Sequence, residues 1–413
     1  MSPPRDPTDP GPLRQGPRPL LLHLMTAGSL WGSSKLALPF LKSGLLPWSP
    51  ELAEQVHELL RGLDGVAPAE LSAAVDAELA RRSERFLSGV ESYRRHPYRR
   101  ALADPPVVWQ EGGTRLLDYG PADGIPALVI PSLVNRAYIL DLDEERSFLR
   151  FLSGAGVRCL LIDWGRPGDI ERGFDLTDYV AGRLDQAFEA AVELGGRPLG
   201  LIGYCMGGLF ALALASRHRR DVSGLALVAT PWDFHASPAV PPAMMSALSG
   251  IIESSFGPLG EVPTDVLQCL FAMNDPQLAI RKFSRFADLD PGSPEARRFV
   301  AVEDWANDGV PLALPTARDC LTRWYGRNEP AAGMWRVAGR AVDPGKLDRP
   351  VLAVIPSHDK IVPAPSARAL AAQLPRVTVI EKPAGHVGLI VGPGARRSVW
   401  EPIRRHLADC AGG

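Results

Sequence analysis

At 413 residues, 46% hydrophobic and 22% charged, the sequence is that of a globular protein long enough for one large domain and an accessory one, which excludes a fibre or wholesale disorder. A formal net charge of −2 argues against a dedicated nucleic-acid binder, whose contact face is strongly basic. The five cysteines, Cys159, Cys205, Cys269, Cys320 and Cys410, are widely spaced with no Cys-x-x-Cys pair, so neither a disulfide framework nor a zinc site is expected. The setting read from them is reducing and cytoplasmic, with no metal and no cofactor.

Residues 1–19 hold seven prolines with Arg5, Arg14 and Arg18, a composition that buries too little apolar surface to order itself, and a disordered tail is expected there. From Leu20 to Leu46 the chain turns apolar, but His23, Lys35 and Lys42 interrupt it, so neither a secretory signal nor a bilayer span is expected. Two readings of that stretch stand: an amphipathic segment packed on the main domain, or an interfacial helix that meets lipid or an apolar polymer surface. Ser49-Pro50-Glu51 starts a helix with serine as cap and proline at the first position. A second helix begins near Pro68, with Leu71, Val75, Leu79 and Phe86 on one face. An N-terminal helical region over 20–104 follows from these. Its end, residues 91–100, is basic and aromatic, a composition that suits either phosphate contacts or a solvated linker whose arginines pair with carboxylates.

Beyond Pro105 strands and helices alternate, the pattern of a parallel sheet with helices on its faces. Strands are predicted at Val107–Trp109, Thr114–Tyr119, Ala127–Ile130, Val157–Asp163, Gly224–Ala229, Val351–Ile355 and Val377–Ile380, and a further one leads into Leu199-Gly-Leu-Ile. Helices are predicted at Asp143–Leu152, Thr177–Leu194 and Arg397–Leu407. The stretch from Thr230 to about Lys346 carries no strand pattern. A core over 105–230 and 346–413, interrupted by a lid over 231–345, is the expected organisation.

The chemistry concentrates at Gly203-Tyr204-Cys205-Met206-Gly207, a sharp turn between a buried strand and a helix. In a nucleophile elbow the flanking residues are small because the nucleophile's backbone is strained and neighbouring chains crowd it. Cys205 therefore reads as a nucleophile, and the Met206 amide, opening the helix, as one donor to a developing oxyanion. A second donor is expected from the loop after the third strand, where Val134 is the candidate, with Asn135 and Arg136 fixing the loop or meeting substrate. In the chain order nucleophile, acid, histidine, the loops after the last two strands supply Asp359 and His386. A thiolate attacks whereas a free thiol has a pKa near ~8.5, so a base is needed, with an acid to orient it. His358 reads as a loop residue beside the acid, and the remaining histidines as surface or core residues.

Taken together, several motifs resemble the poly(3-hydroxyalkanoate) synthases. They are Leu133-Val134-Asn135-Arg136 with Tyr138 to Leu142, Leu161-Ile162-Asp163-Trp164-Gly165, the Cys205 elbow, Thr230-Pro231-Trp232-Asp233-Phe234, Asp359 with Ile361-Val362-Pro363, and Gly385-His386-Val387-Gly388. The likeness runs from about Val107 to His406, is closest to the short catalytic subunits of that family, and departs from many relatives in carrying Lys360 directly after the acid. It implies an α/β-hydrolase fold with a mostly parallel sheet, a helical lid and an N-terminal helical extension. It also implies an acyltransferase that polymerises 3-hydroxyacyl-CoA through an acyl-cysteine, with the histidine activating the cysteine and the aspartate helping to activate the substrate hydroxyl. The partners it implies are the growing polyester or its granule surface, and either a second copy of the chain or a small helical subunit. The same triad and fold serve hydrolysis equally, as in a thioesterase or an intracellular depolymerase, and a scaffold that lost its chemistry is the reading from another class. Thioester exchange onto cysteine keeps the acyl group activated for transfer to an alcohol, which suits polymer growth better than a serine ester would.

Overall fold

The computed structural model describes residues 14–43, 48–196, 198–238 and 240–412. Packing divides the chain into two units, Met1–Tyr98 with Asp275–Asn307, and Arg99–Asn274 with Asp308–Gly413.

In the first unit, α1 (Leu20–Ser43), α2 (Pro50–Gly62) and α3 (Pro68–Arg95) follow the predicted helices. Proline opens α2 as expected, but the Ser49 side chain makes no capping bond. A core forms where Phe86, Val90 and Tyr93 of α3 meet Ala279, Ile280, Phe283 and Phe286, and Ala27 of α1 joins it. The helix Leu278–Phe286 presents those residues at helical spacing, so its apolar face requires a cover, and α3 supplies it. Residues 275–307 therefore leave the lid to which the sequence assigned them, because periodicity reveals that a face is buried and not against what. One further expectation needs correction. Of the tail over 1–19, residues 1–13 lie outside the described residues, but Arg14 is held by Asp304 at 3.0 Å and by the His96 carbonyl at 2.5 Å, so charge pairing orders the end that composition left unordered. Within this unit α1 packs on α3, although Leu21, Met25, Leu36 and Phe40 remain exposed. No described helix is long and apolar enough to cross a membrane.

The second unit is built on an eight-stranded sheet. Its strands are β1 (Val107–Glu111), β2 (Thr114–Asp118), β3 (Ile125–Ile130), β4 (Val157–Asp163), β5 (Leu199–Tyr204), β6 (Val222–Val228), β7 (Val351–Pro356) and β8 (Val377–Lys382). Their spatial order is β1-β2-β4-β3-β5-β6-β7-β8, antiparallel between β1 and β2 and between β2 and β4, parallel elsewhere. All six residues of β5 are buried, as are five of six in β3 and six of seven in β4. Such continuously buried runs, rather than alternating ones, are what helices covering both faces demand, and in β4 the buried Arg158 is paired with Asp118. Because β3 lies between β4 and β5, the chain reverses its winding direction beside β3, and a crevice opens at the carboxyl ends of β3 and β5. That is where doubly wound sheets bind ligands.

The insertion after β6 is mainly helical, as expected, yet it contains two short strand pairings that the sequence did not signal: Glu261–Val262 with Leu312–Ala313, and Arg336–Val337 with Arg340–Ala341. Two residues are too few to show alternation. Its helix Pro242–Phe256 contributes Met245 and Ile252 to the core cluster that also contains Met206 and Trp324.

Candidate active site

The elbow is strained at one residue. Cys205 has φ 56° and ψ −126°, a conformation that an L-residue adopts only when its surroundings impose it. Those surroundings are close. A Cβ on Gly207 would overlap the Ile130 carbonyl oxygen, and one on Gly203 would lie 2.8 Å from the Gly207 carbonyl oxygen, so both positions must be glycine for the helix Met206–Arg217 to leave β5 at this angle. The Cys205 amide is fixed by the Val228 carbonyl at 2.8 Å.

His386 and Asp359 meet this turn from the loops after β8 and β7. His386 Nδ1 lies 2.6 Å from Asp359 Oδ2, and Cys205 is near enough for its charge to act on the imidazole. The other carboxylate oxygen of Asp359 accepts the amides of Ile361 at 2.7 Å and Val362 at 3.0 Å, which fixes the acid's rotamer and leaves Oδ2 for the imidazole. Both side chains are buried. Burial opposes the charged form of His386, but an ionised Cys205 and the Asp359 carboxylate outweigh it and raise the imidazole pKa to about 10. The cluster thus favours a proton on histidine whenever the cysteine is a thiolate.

One residue that the sequence did not single out braces this arrangement. Tyr204, directly before the cysteine, donates its buried hydroxyl to the His386 carbonyl at 3.4 Å and lays its ring 5.3 Å from the imidazole. Its place in the elbow motif was visible, but a long-range bond to a main-chain carbonyl leaves no sequence signal. His358 is exposed beside the acid, as read.

The two expected oxyanion donors differ in state. Among the described residues, the Met206 amide at the start of its helix has no partner, whereas the Val134 amide donates to the Ser132 hydroxyl at 3.3 Å. The Val134 loop is anchored from several sides. The Trp164 indole N–H donates to the Pro131 carbonyl at 3.0 Å, Arg136 reaches Asp308 at 3.4 Å, and Asn135 bridges to Gly309. Asn135 and Arg136 thus fix the loop.

Above the elbow lies a cavity of about 180 Å³ whose walls include Cys205, Met206, Val134 and Ser132 together with insertion residues such as Phe271 and Trp324. Its lining is mostly apolar, and among the described residues no group of His, Cys, Asp and Glu is arranged to hold a metal ion. A strained cysteine with a paired histidine, opening on an apolar cavity, is equipped for acyl transfer from an activated ester.

The sequence pattern of the alpha/beta hydrolase family matches residues 128–395. The poly(3-hydroxyalkanoate) polymerase subunit PhaC of Allochromatium vinosum is 30% identical over 292 residues, 70% of this chain and 82% of that one. This chain belongs to the poly(3-hydroxyalkanoate) polymerase family of α/β hydrolases. The PhaC subunit of Synechocystis is 29% identical over 79% of this chain and 91% of its own. That of Haloferax mediterranei is 28% identical over 73% of this chain, and the chain spans 63% of its length. The match to the family pattern contains the elbow, the insertion, Asp359 and His386, so the site lies within the part of the chain that carries the alpha/beta hydrolase pattern.

Proposed function

We propose that the chain polymerises 3-hydroxyacyl-CoA thioesters into polyhydroxyalkanoate through an acyl group held on Cys205. The observation that carries this is a cysteine, rather than a hydroxyl, on the strained elbow, with His386 and Asp359 aligned behind it and an apolar cavity in front. His386 takes the thiol proton as the sulfur attacks the thioester carbonyl. A C–S bond forms, and the negative oxygen is held by the Met206 amide and by the Val134 amide once it exchanges Ser132 for the oxyanion. Collapse breaks the bond to the CoA sulfur, which leaves with the proton that His386 held. In the second half the hydroxyl of another 3-hydroxyacyl unit gives its proton to His386 and attacks the acyl-cysteine. An ester bond forms, and the Cys205 sulfur leaves and regains a proton.

Water competes for the same acyl-cysteine, and the insertion residues that wall the cavity are the means of excluding it. The setting proposed is cytoplasmic, at the surface of the polymer granule, with a second copy or a small helical subunit as partner. The test is trapping. Mixing the protein with 3-hydroxybutyryl-CoA, quenching with acid and digesting should give a peptide carrying the hydroxyacyl mass on Cys205. A stable adduct on another cysteine, with Cys205 unmodified, would overturn the assignment.

A further inference from the structure

A substrate hydroxyl entering this cavity needs a hydrogen-bond partner, because an apolar wall leaves it unpaired at a cost. Several polar side chains of the wall are already committed. Ser132 accepts the Val134 amide, Asp233 accepts Asn328 at 2.8 Å, Asn274 donates to the Phe271 carbonyl at 3.2 Å, and Ser366 accepts the Trp232 amide at 3.1 Å. The indole N–H of Trp324 is unpartnered but sealed, with its ring perpendicular to that of Trp335 at 5.5 Å.

Tyr325 is different. It lines the same cavity as Cys205 and keeps 36% of its surface accessible, against 2% for Trp324 and 9% for Phe234. Its hydroxyl has no hydrogen-bond partner among the described residues. The residue itself is firmly held. Its carbonyl is bonded by the His235 ring at 2.9 Å, its ring stands edge-on to Phe234 at 4.9 Å, and it belongs to the π-helical turn Cys320–Gly326, an irregularity frequent at functional sites.

We infer that the Tyr325 hydroxyl is the group that pairs with the 3-hydroxyl of the substrate and selects hydroxyacyl over plain acyl thioesters. The inference rests on the proposed acylation of Cys205 and adds to it a specificity-determining residue. A phenol both donates and accepts, so it satisfies a hydroxyl in either sense. A site built to bond a hydroxyl discriminates against the analogue that lacks it, because its own polar group is then left unpaired.

The test compares 3-hydroxybutyryl-CoA with butyryl-CoA, which acylates cysteine but cannot propagate, by first-turnover CoA release in the intact protein and in Tyr325→Phe. The expected result is a preference for the hydroxyacyl substrate in the intact protein that falls about tenfold in the variant, the effect of one neutral hydrogen bond. The ratio is the readout because general damage to the pocket lowers both rates together. An unchanged ratio in Tyr325→Phe would overturn the inference, whatever the absolute rates. If the intact protein released no CoA from either substrate, the acylation reading would fall with it, and the two failures are thereby told apart.

Discussion

Cys205 holds a backbone conformation that costs on the order of 1–3 kcal/mol, and the turn so formed sets a half-buried cysteine at the cavity beside a buried imidazole. Cys205→Ala should therefore abolish CoA release, and His386→Ala should slow it by several orders of magnitude, both measured by thiol titration. Tyr204→Phe keeps the ring against the imidazole and removes only the bond to the His386 carbonyl, so kcat should fall about three- to fivefold, the effect of one modest hydrogen bond. The raised histidine pKa also predicts a dependence of stability on pH. Folding strengthens proton binding at His386, so its contribution is complete below the unfolded value of about 6.5 and is lost as pH rises through about 10. Denaturant midpoints of the intact protein and of His386→Gln should accordingly converge between pH 7 and 10. A gap that widened with pH would contradict the assigned direction.

At the scale of elements, the turn between β5 and its helix is specified by the absence of side chains. Gly207→Ala places a methyl against the Ile130 carbonyl, a backbone atom that cannot step aside, so the substitution should cost about 1–3 kcal/mol in denaturant stability and most of the activity. This much was legible in the sequence, because the Gly-x-Cys-x-Gly spacing between an apolar run and a helix has few other meanings. The main strands were legible for a similar reason: runs such as Ala127–Ile130 are apolar throughout, and only a strand covered on both faces explains them. The partner of a helix was not legible. The helix Leu278–Phe286 shows its buried face plainly, yet nothing in that face says that α3 covers it. Phe283 is fully buried there, and Phe283→Ala should cost about 3–5 kcal/mol, read from the denaturant midpoint. At the site, Asp359 and His386 were read from chain order, whereas Tyr204 was not, because its hydroxyl's partner lies far away in sequence and only the fold brings the two together.

For the whole molecule, chemistry and containment have to agree. The sheet delivers Cys205, Asp359 and His386 to one end of its strands, and the insertion after β6 supplies much of the wall of the cavity in front of Cys205. The same triad under an open roof would hydrolyse, so the distinction between polymerase and hydrolase rests on which nucleophile reaches the acyl-cysteine first. That partition is directly measurable with 3-hydroxybutyryl-CoA, following CoA by thiol titration and free hydroxy acid by chromatography, with a helical partner subunit supplied in a parallel reaction. The account predicts that CoA exceeds free acid by a wide margin, with the missing acyl groups recovered as enzyme-bound or insoluble polyester. One free hydroxy acid for every CoA released, with no oligomer in either reaction, would contradict it.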